Sequence, residues 1–303
     1  MAGFRPRRVF VPLVTPFDER GRVDLSSVQR LALECLSAGA AGVVALATTG
    51  EATSLDDAER KDVVAACAHV SSNRGAPLIV GTGTNDTRTT IARHEALADA
   101  PGVAASLAVV PYYVRPSEAG IVAHFQAVAA RSPVPVVIYN IPYRTGARLG
   151  ASALLELAAT DNVVGVKQAV GGIDADTLSL LAAAPADFAV LGGDDAYLFP
   201  VVLMGGAGAI SASAHLCTER FVAMIDAGLE GRVTEGRRHA EALLPLVLAL
   251  FAEPSPAVIK ALLHAEGRIP TPDVRMPLAN ASAGSVESAR QALEEARRAP
   301  RSA

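Results

Sequence analysis

Val163-Val164-Gly165-Val166-Lys167-Gln168-Ala169-Val170 is a short apolar, β-branched run that carries one lysine and breaks at Gly171-Gly172. Its apolar residues occupy consecutive positions instead of alternating ones, the pattern of a strand buried on both faces in a parallel sheet. A lysine near the end of such a strand is partly desolvated, and desolvation disfavours the ammonium and lowers its pKa. A neutral amine at the mouth of a pocket is the nucleophile that Schiff-base chemistry requires. The same run also fits a lysine whose stem packs while its head reaches water. The choice between the two depends on what else the chain brings to that place.

Runs of the same kind recur on either side, at Val9–Val14, Gly42–Ala47, Pro77–Thr82, Ala104–Val110, Pro135–Asn140, Phe188–Leu191 and Ala207–Ser211. Segments with helical spacing of apolar residues lie between them. Leu25–Ser37 opens after Asp24, Leu55–Val70 opens on Ser54-Leu55-Asp56-Asp57, and Ser117–Ala130 opens on a capping serine. Strand and helix alternating at roughly 30-residue spacing are the signature of βαβ units and a parallel sheet. Eight strands predict an α/β fold, a (β/α)8 TIM barrel, and a doubly wound open sheet is the other architecture with this alternation. After Gly231 the strand signal stops. Val233–Ala252, Pro256–Glu266 and Ser285–Arg298 read as helices, with Arg297 to Ala303 as a frayed end. The chain therefore divides into residues 1–231, the barrel carrying the active site, and residues 232–303, a C-terminal helical region packing on the barrel or on a partner subunit.

Composition narrows the function. Half of the 303 residues are hydrophobic, and 31 acidic against 27 basic residues give a formal charge of -4. No long run of one sign occurs, and Trp is absent, so neither a nucleic acid nor an anionic membrane surface is the expected partner. The apolar runs fall short of the ~20 residues of a membrane span, and the proline-broken start does not read as a signal peptide. Cys35, Cys67 and Cys217 are far apart, as buried thiols in a reducing compartment would be. A cytoplasmic enzyme is expected. The six histidines show no H-x-x-x-H or H-E-x-x-H spacing, so no metal is predicted, and His215 is placed on the surface or in a loop.

In a parallel barrel the chemistry sits at the carboxyl ends of the strands. Those ends carry Thr48-Thr49-Gly50-Glu51, Gly81-Thr82-Gly83, Pro111-Tyr112-Tyr113, Tyr139-Asn140-Ile141-Pro142 with Arg144 beyond, Lys167, Gly193-Asp194-Asp195 and Ser211. Taken singly these are ordinary turn residues. Asp194 and Asp195 read as a helix N-cap and first-turn pair, and the glycine turns lack a phosphate-loop pattern. Taken together they put a desolvated lysine among tyrosine and threonine hydroxyls and one arginine. An imine with a 2-oxo acid needs a proton shuttle, which hydroxyls supply, and a carboxylate clamp, which Arg144 and the Thr48–Thr49 turn supply.

These blocks, with Val14-Thr15-Pro16-Phe17 and Glu253-Pro254-Ser255-Pro256 added, resemble the dihydrodipicolinate synthase/N-acetylneuraminate lyase superfamily of pyruvate-dependent class I lyases, from about Val9 to Pro277. The resemblance implies a TIM barrel with a C-terminal helical region, commonly a homotetramer (a dimer of dimers). It implies no external cofactor, only a covalent imine between pyruvate and Lys167. Tyr139, Thr48 and Tyr113 match the proton-relay triad, Tyr113 being lent by a neighbouring subunit. Thr49 and Ile210 match pyruvate-binding positions, and Gly193 belongs to a matching block beside them. Arg144 matches the arginine that in the synthase branch binds the carboxylate of the aldehyde. That favours condensation of pyruvate with aspartate 4-semialdehyde to 4-hydroxy-tetrahydrodipicolinate, in lysine and diaminopimelate biosynthesis.

Another pyruvate-dependent aldolase or dehydratase, acting on a sugar acid, N-acetylneuraminate or 4-hydroxy-2-oxoglutarate, is the alternative within the superfamily. A 2-oxo-acid-binding protein without turnover is the alternative outside catalysis. Three positions depart from the pattern and bear on the second substrate: Ala47 stands for glycine, Gln168 for glutamate, and Ser213-Ala214-His215 covers a place where Ala-Asn is usual. At the inhibitor site of lysine-regulated relatives this chain has Asp57, Arg60 and Thr89 in place of two histidines and a glutamate, which implies weak or no inhibition by lysine.

Overall fold

A computed structural model describes residues 4–300. Eight parallel strands close into a barrel in chain order: β1 Arg8–Pro12, β2 Gly42–Ala45, β3 Leu78–Gly81, β4 Val103–Val109, β5 Val136–Asn140, β6 Val163–Gln168, β7 Ala189–Gly192 and β8 Gly208–Ile210. β8 pairs with β1 through Arg8↔Gly208 and Phe10↔Ile210, which excludes the open-sheet alternative. Each strand lies where an apolar run predicts it. Most stop one or two residues early, because residues such as Leu46 (φ +57°) and Ser211 have already turned into the loops that build the site.

The outer ring is α1 Leu25–Ser37, α2 Asp57–Arg74, α3 Thr87–Glu95, α4 Glu118–Ala129, α5 Pro142–Thr145, α6 Ala151–Ala158, α7 Ala175–Ala183, α8 Leu198–Leu203 and α9 Thr218–Leu229. Local signals start these helices. Asp24 accepts from the Ser26 and Ser27 N–H groups, and Ser117 accepts from Gly120. Asp56 and Glu59 form a reciprocal capping box, which begins α2 two residues beyond its predicted start.

Side chains along the strands sort into two layers. Val136, Ile138 and Val166 pack outward against the helices. Phe10, Val44, Ile79, Leu107, Val137, Leu191 and Ile210 fill the barrel interior. The period of two puts Tyr139 inside with Val137, and Lys167 is register-paired with Tyr139 on the neighbouring strand. Gly165 lets β6 close on β7, since a Cβ there would lie 2.4 Å from the Ala189 carbonyl oxygen.

The chain ends in α10 Val233–Leu250, α11 Ala257–Ala265 and α12 Ala283–Arg298. Leu243, Leu246, Leu250, Val258, Leu262 and Leu293 join the same core cluster as Val9, Val11 and Leu13 of β1 and its loop, so these helices share the barrel's core. The frayed end predicted from Arg297 is corrected in part: Arg297 and Arg298 belong to α12, and Arg297 pairs with Glu266. Residues 301–303 lie outside the described residues.

Candidate active site

Lys167 lies next to the C-terminal residue of β6 with only 6% of its surface exposed. Burial pulls its pKa from the ordinary lysine value down to about 8, with Arg144 adding to the fall, while Asp195 and Asp194 push the other way. Its Nζ stands 4.4 Å from the centre of the Tyr139 ring. Tyr139 is itself buried at the end of β5, and burial raises the pKa of its hydroxyl; Arg144 and a hydrogen bond with Thr48 draw it back. A phenol held protonated beside an amine near neutrality is arranged to pass protons.

The Thr48 hydroxyl stands on a one-turn 3-10 segment, Thr48–Gly50, that leaves β2. Thr48 is exposed to a cavity of about 400 Å³, and Thr49 is buried under it. Tyr139, Thr82, Tyr112 and Arg144 share the cavity wall, together with Arg60 and Arg93, and no carboxylate side chain does. The wall thus favours anionic ligands. Arg144 comes from the single turn α5, which starts at Pro142 and is tied by Thr145 Oγ1 donating to the Ile141 and Ala147 carbonyls. Its guanidinium lies 5.7 Å from the Tyr143 ring centre.

Ile210 ends β8 inside the barrel. Gly193 follows β7, and a Cβ there would meet Lys167 Cε and Cγ at 2.8 Å and Ala169 Cβ at 3.0 Å. The absent side chain is what leaves room for the lysine stem. Gly193→Ala is therefore expected to displace Nζ and lower kcat/KM by about 10²-fold, the scale of a misplacement near 1 Å. Unchanged kinetics in a steady-state assay would remove this role.

Of the sequence-predicted residues, Thr48, Tyr139 and Arg144 line this cavity; Lys167, Thr49, Ile210 and Gly193 do not line it, and Tyr113 is turned to solvent. Its ring is 86% exposed on a left-handed backbone (φ +71°), while its neighbour Tyr112 lines the wall. Asp194 and Asp195 take the expected N-cap and first-turn positions of the 3-10 segment Asp195–Tyr197, but their side chains make no capping bond: Asp194 accepts from the Gly171 N–H and Asp195, buried, from the Ser213 N–H, each at 2.7 Å, which ties the β6, β7 and β8 loops together. One expectation needs correction. His215 is not on the surface. It is buried, accepts from the Val14 N–H at 3.2 Å through Nε2 and donates to the Ala212 carbonyl through Nδ1, and burial pushes its pKa down to about 4.

The model of the dihydrodipicolinate synthetase family matches residues 5–296. The chain belongs to this family. Its relatives include a 4-hydroxy-tetrahydrodipicolinate synthase of Moorella thermoacetica, 38% identical over 95% of this chain and 97% of that protein. Among solved structures, the dihydrodipicolinate synthase of Thermotoga maritima superposes with a TM-score of 0.93 at 32% identity, covering 97% of this chain and 99% of that one. A chloride-inhibited dihydrodipicolinate synthase from Acinetobacter baumannii, complexed with pyruvate, gives 0.92 at 32% identity over 96% and 99% of the two chains.

The departures from the synthetase-family pattern fall mostly behind the cavity. Gln168 points to the outer layer, where its Nε2 donates to Thr177 Oγ1 and its Oε1 accepts from Asn140 Nδ2. Ser213 and His215 brace loops. Ala47 alone lines the cavity. Sequence reading missed the buried partner of Glu51, which is Lys260 on α11 at 2.8 Å. The available signal was a lysine inside the otherwise apolar run Ala257–Leu263, four residues past a recognised block.

Proposed function

We infer that the protein is a Schiff-base lyase that condenses pyruvate with aspartate 4-semialdehyde to give 4-hydroxy-tetrahydrodipicolinate, with no external cofactor. The observation that carries this reading is the buried Lys167 amine 4.4 Å from the ring centre of Tyr139, which itself lines a cavity with Thr48 and three arginines. The shared name of the relatives and the pyruvate complex of the Acinetobacter enzyme support the substrate pair.

In this reading neutral Lys167 attacks C2 of pyruvate, and Tyr139 with Thr48 moves the protons that turn the carbinolamine into an imine and water. Loss of a C3 proton gives the enamine that attacks the aldehyde. The amino group of the second substrate then takes the place of Lys167 at C2 and frees it. Thr49 and Ile210 shape the pyruvate end, Gly193 makes room for the lysine, and Arg144 holds the carboxylate of the aldehyde substrate. The exposure and strained backbone of Tyr113 support its lending to a neighbouring subunit, and with it a homotetramer. A cytoplasmic setting accords with the buried free thiols Cys35 and Cys67.

Borohydride reduction with pyruvate tests the core of the reading: a peptide containing Lys167 gains the mass of a reduced pyruvate adduct, and an unmodified Lys167 would end it. A coupled assay offering aspartate semialdehyde against sugar-derived 2-oxo acids then decides the substrate. The pKa of about 8 sets the pH dependence. Below it the ammonium dominates and the initial rate of trapping falls toward tenfold per pH unit, while above it the rate levels off. A flat rate between about pH 6 and 8 would contradict a desolvated amine.

Lysine is expected not to inhibit at sub-millimolar concentration. Arg60 is partly buried in the cavity wall close enough to Arg93 for the two charges to repel, so this face rejects a further ammonium group. Inhibition kinetics with added lysine check this.

A further inference from the structure

The acidic end of Thr48-Thr49-Gly50-Glu51 takes no part in the chemistry assigned so far, and neither does the lysine it meets. Glu51 closes the turn in a left-handed conformation (φ +51°), and its N–H donates to the Thr48 carbonyl at 3.0 Å. Its side chain and that of Lys260 are both fully buried. One Glu51 oxygen accepts from Lys260 Nζ at 2.8 Å and the other from the Arg275 N–H at 2.7 Å. Lys260 Nζ also donates to the Thr15 carbonyl at 2.9 Å and lies 4.0 Å from the Phe17 ring centre. Thr15 Oγ1 in turn donates to the Gly50 carbonyl at 2.7 Å.

The turn is thus gripped at both of its last residues. Thr15 holds Gly50, and Lys260 holds both Glu51 and the loop that carries Thr15. Neither Glu51 nor Lys260 lines the cavity, so any effect they have on the reaction passes through the position of Thr48 and Thr49. A buried ion pair gives little net stability over a well-packed apolar pair of the same size, whereas its directional bonds specify a geometry. A strained left-handed glutamate persists only where its surroundings over-determine it.

We propose that Glu51 and Lys260 are positioning residues for the catalytic turn, so that the C-terminal helices set the geometry of Thr48 across a distance of 209 residues in sequence. This rests on the Schiff-base reading given above. The pair holds the Thr48 hydroxyl against Tyr139 and the Thr49 backbone toward the pyruvate carboxylate. Disturbing it therefore leaves the Lys167 amine in place and impairs proton relay and pyruvate binding.

The test compares Glu51→Gln, Lys260→Met and the apolar double variant Glu51→Leu/Lys260→Met with the wild type, in the full-length chain. The double variant removes both charges together and is expected to recover the thermal midpoint lost in Lys260→Met. Its kcat/KM for pyruvate is expected to stay about 10²-fold below wild type, with KM for pyruvate raised, while borohydride still labels Lys167 to completion. If kcat/KM returns together with the thermal midpoint, the pair is structural only and the proposal falls. Should the double variant not fold, Glu51→Gln decides, because it keeps the side-chain volume: wild-type kcat/KM and KM there overturn the proposal. Failure to label the wild type strikes the Schiff-base reading instead, so the two are told apart.

Discussion

Replacing Lys167 with methionine is expected to abolish turnover and borohydride labelling and, near neutral pH, to raise the thermal midpoint. The first effect follows from losing the amine proposed to form the imine. The second follows from linkage. Burial holds the folded-state pKa near 8, below the unfolded value of about 10.4, so below pH 8 the folded protein holds an ammonium in a site that disfavours it. That penalty is fully present below about pH 8 and disappears as pH rises toward the unfolded pKa; a shift of this size corresponds to about 3 kcal/mol. Asp194 and Asp195 lose a favourable neighbour in the variant, which returns part of the gain. Thermal melts at neutral pH and again near pH 10 check the argument: the advantage of the variant should shrink at the higher pH. A variant less stable than wild type under both conditions would show that Lys167 contributes packing and not strain.

The second large effect runs the other way. Lys260→Met alone is expected to lower stability by about 3–5 kcal/mol, because it leaves the Glu51 carboxylate buried without its cation. Three contacts go at once: the bond to Glu51, the bond to the Thr15 carbonyl and the ammonium over the Phe17 ring. Arg275 still donates one backbone N–H to Glu51 and still stacks on Phe17, which keeps the loss from being larger. Urea unfolding of the variant against wild type measures it, and a loss below about 1 kcal/mol would mean that the site rearranges to admit water or a proton. The opposite signs for two buried lysines have one cause. Lys167 is desolvated without a bonded carboxylate, and Lys260 is desolvated with one.

Much of this was legible in the chain because a parallel barrel leaves a plain trace. Strands covered on both faces must be apolar throughout, so Val163–Gln168 and its seven counterparts stand out as runs, and their polar ends mark one rim. That rule, together with the resemblance of their blocks, singles out Lys167, Tyr139, Thr48 and Arg144 as candidates. Other placements left no such trace. Gln168 is adjacent to Lys167 in sequence yet faces the outer layer, because successive side chains on a strand alternate between faces. His215 reads as a loop residue, and only the way the loop folds back on Val14 buries it.

The sequence alone determined the eight strands and the place of a lysine near the end of the sixth, since each depends on local pattern repeated along the chain, whereas the pairing of β1 with β8 that closes the barrel is tertiary. Tertiary structure decided which way Tyr113 faces, why position 193 bears no side chain, and which cation meets Glu51. Those outcomes depend on distances between segments far apart in sequence: the space against Lys167, the solvent around the β4 loop, the approach of α11 to the turn after β2. Local periodicity carries no record of such distances.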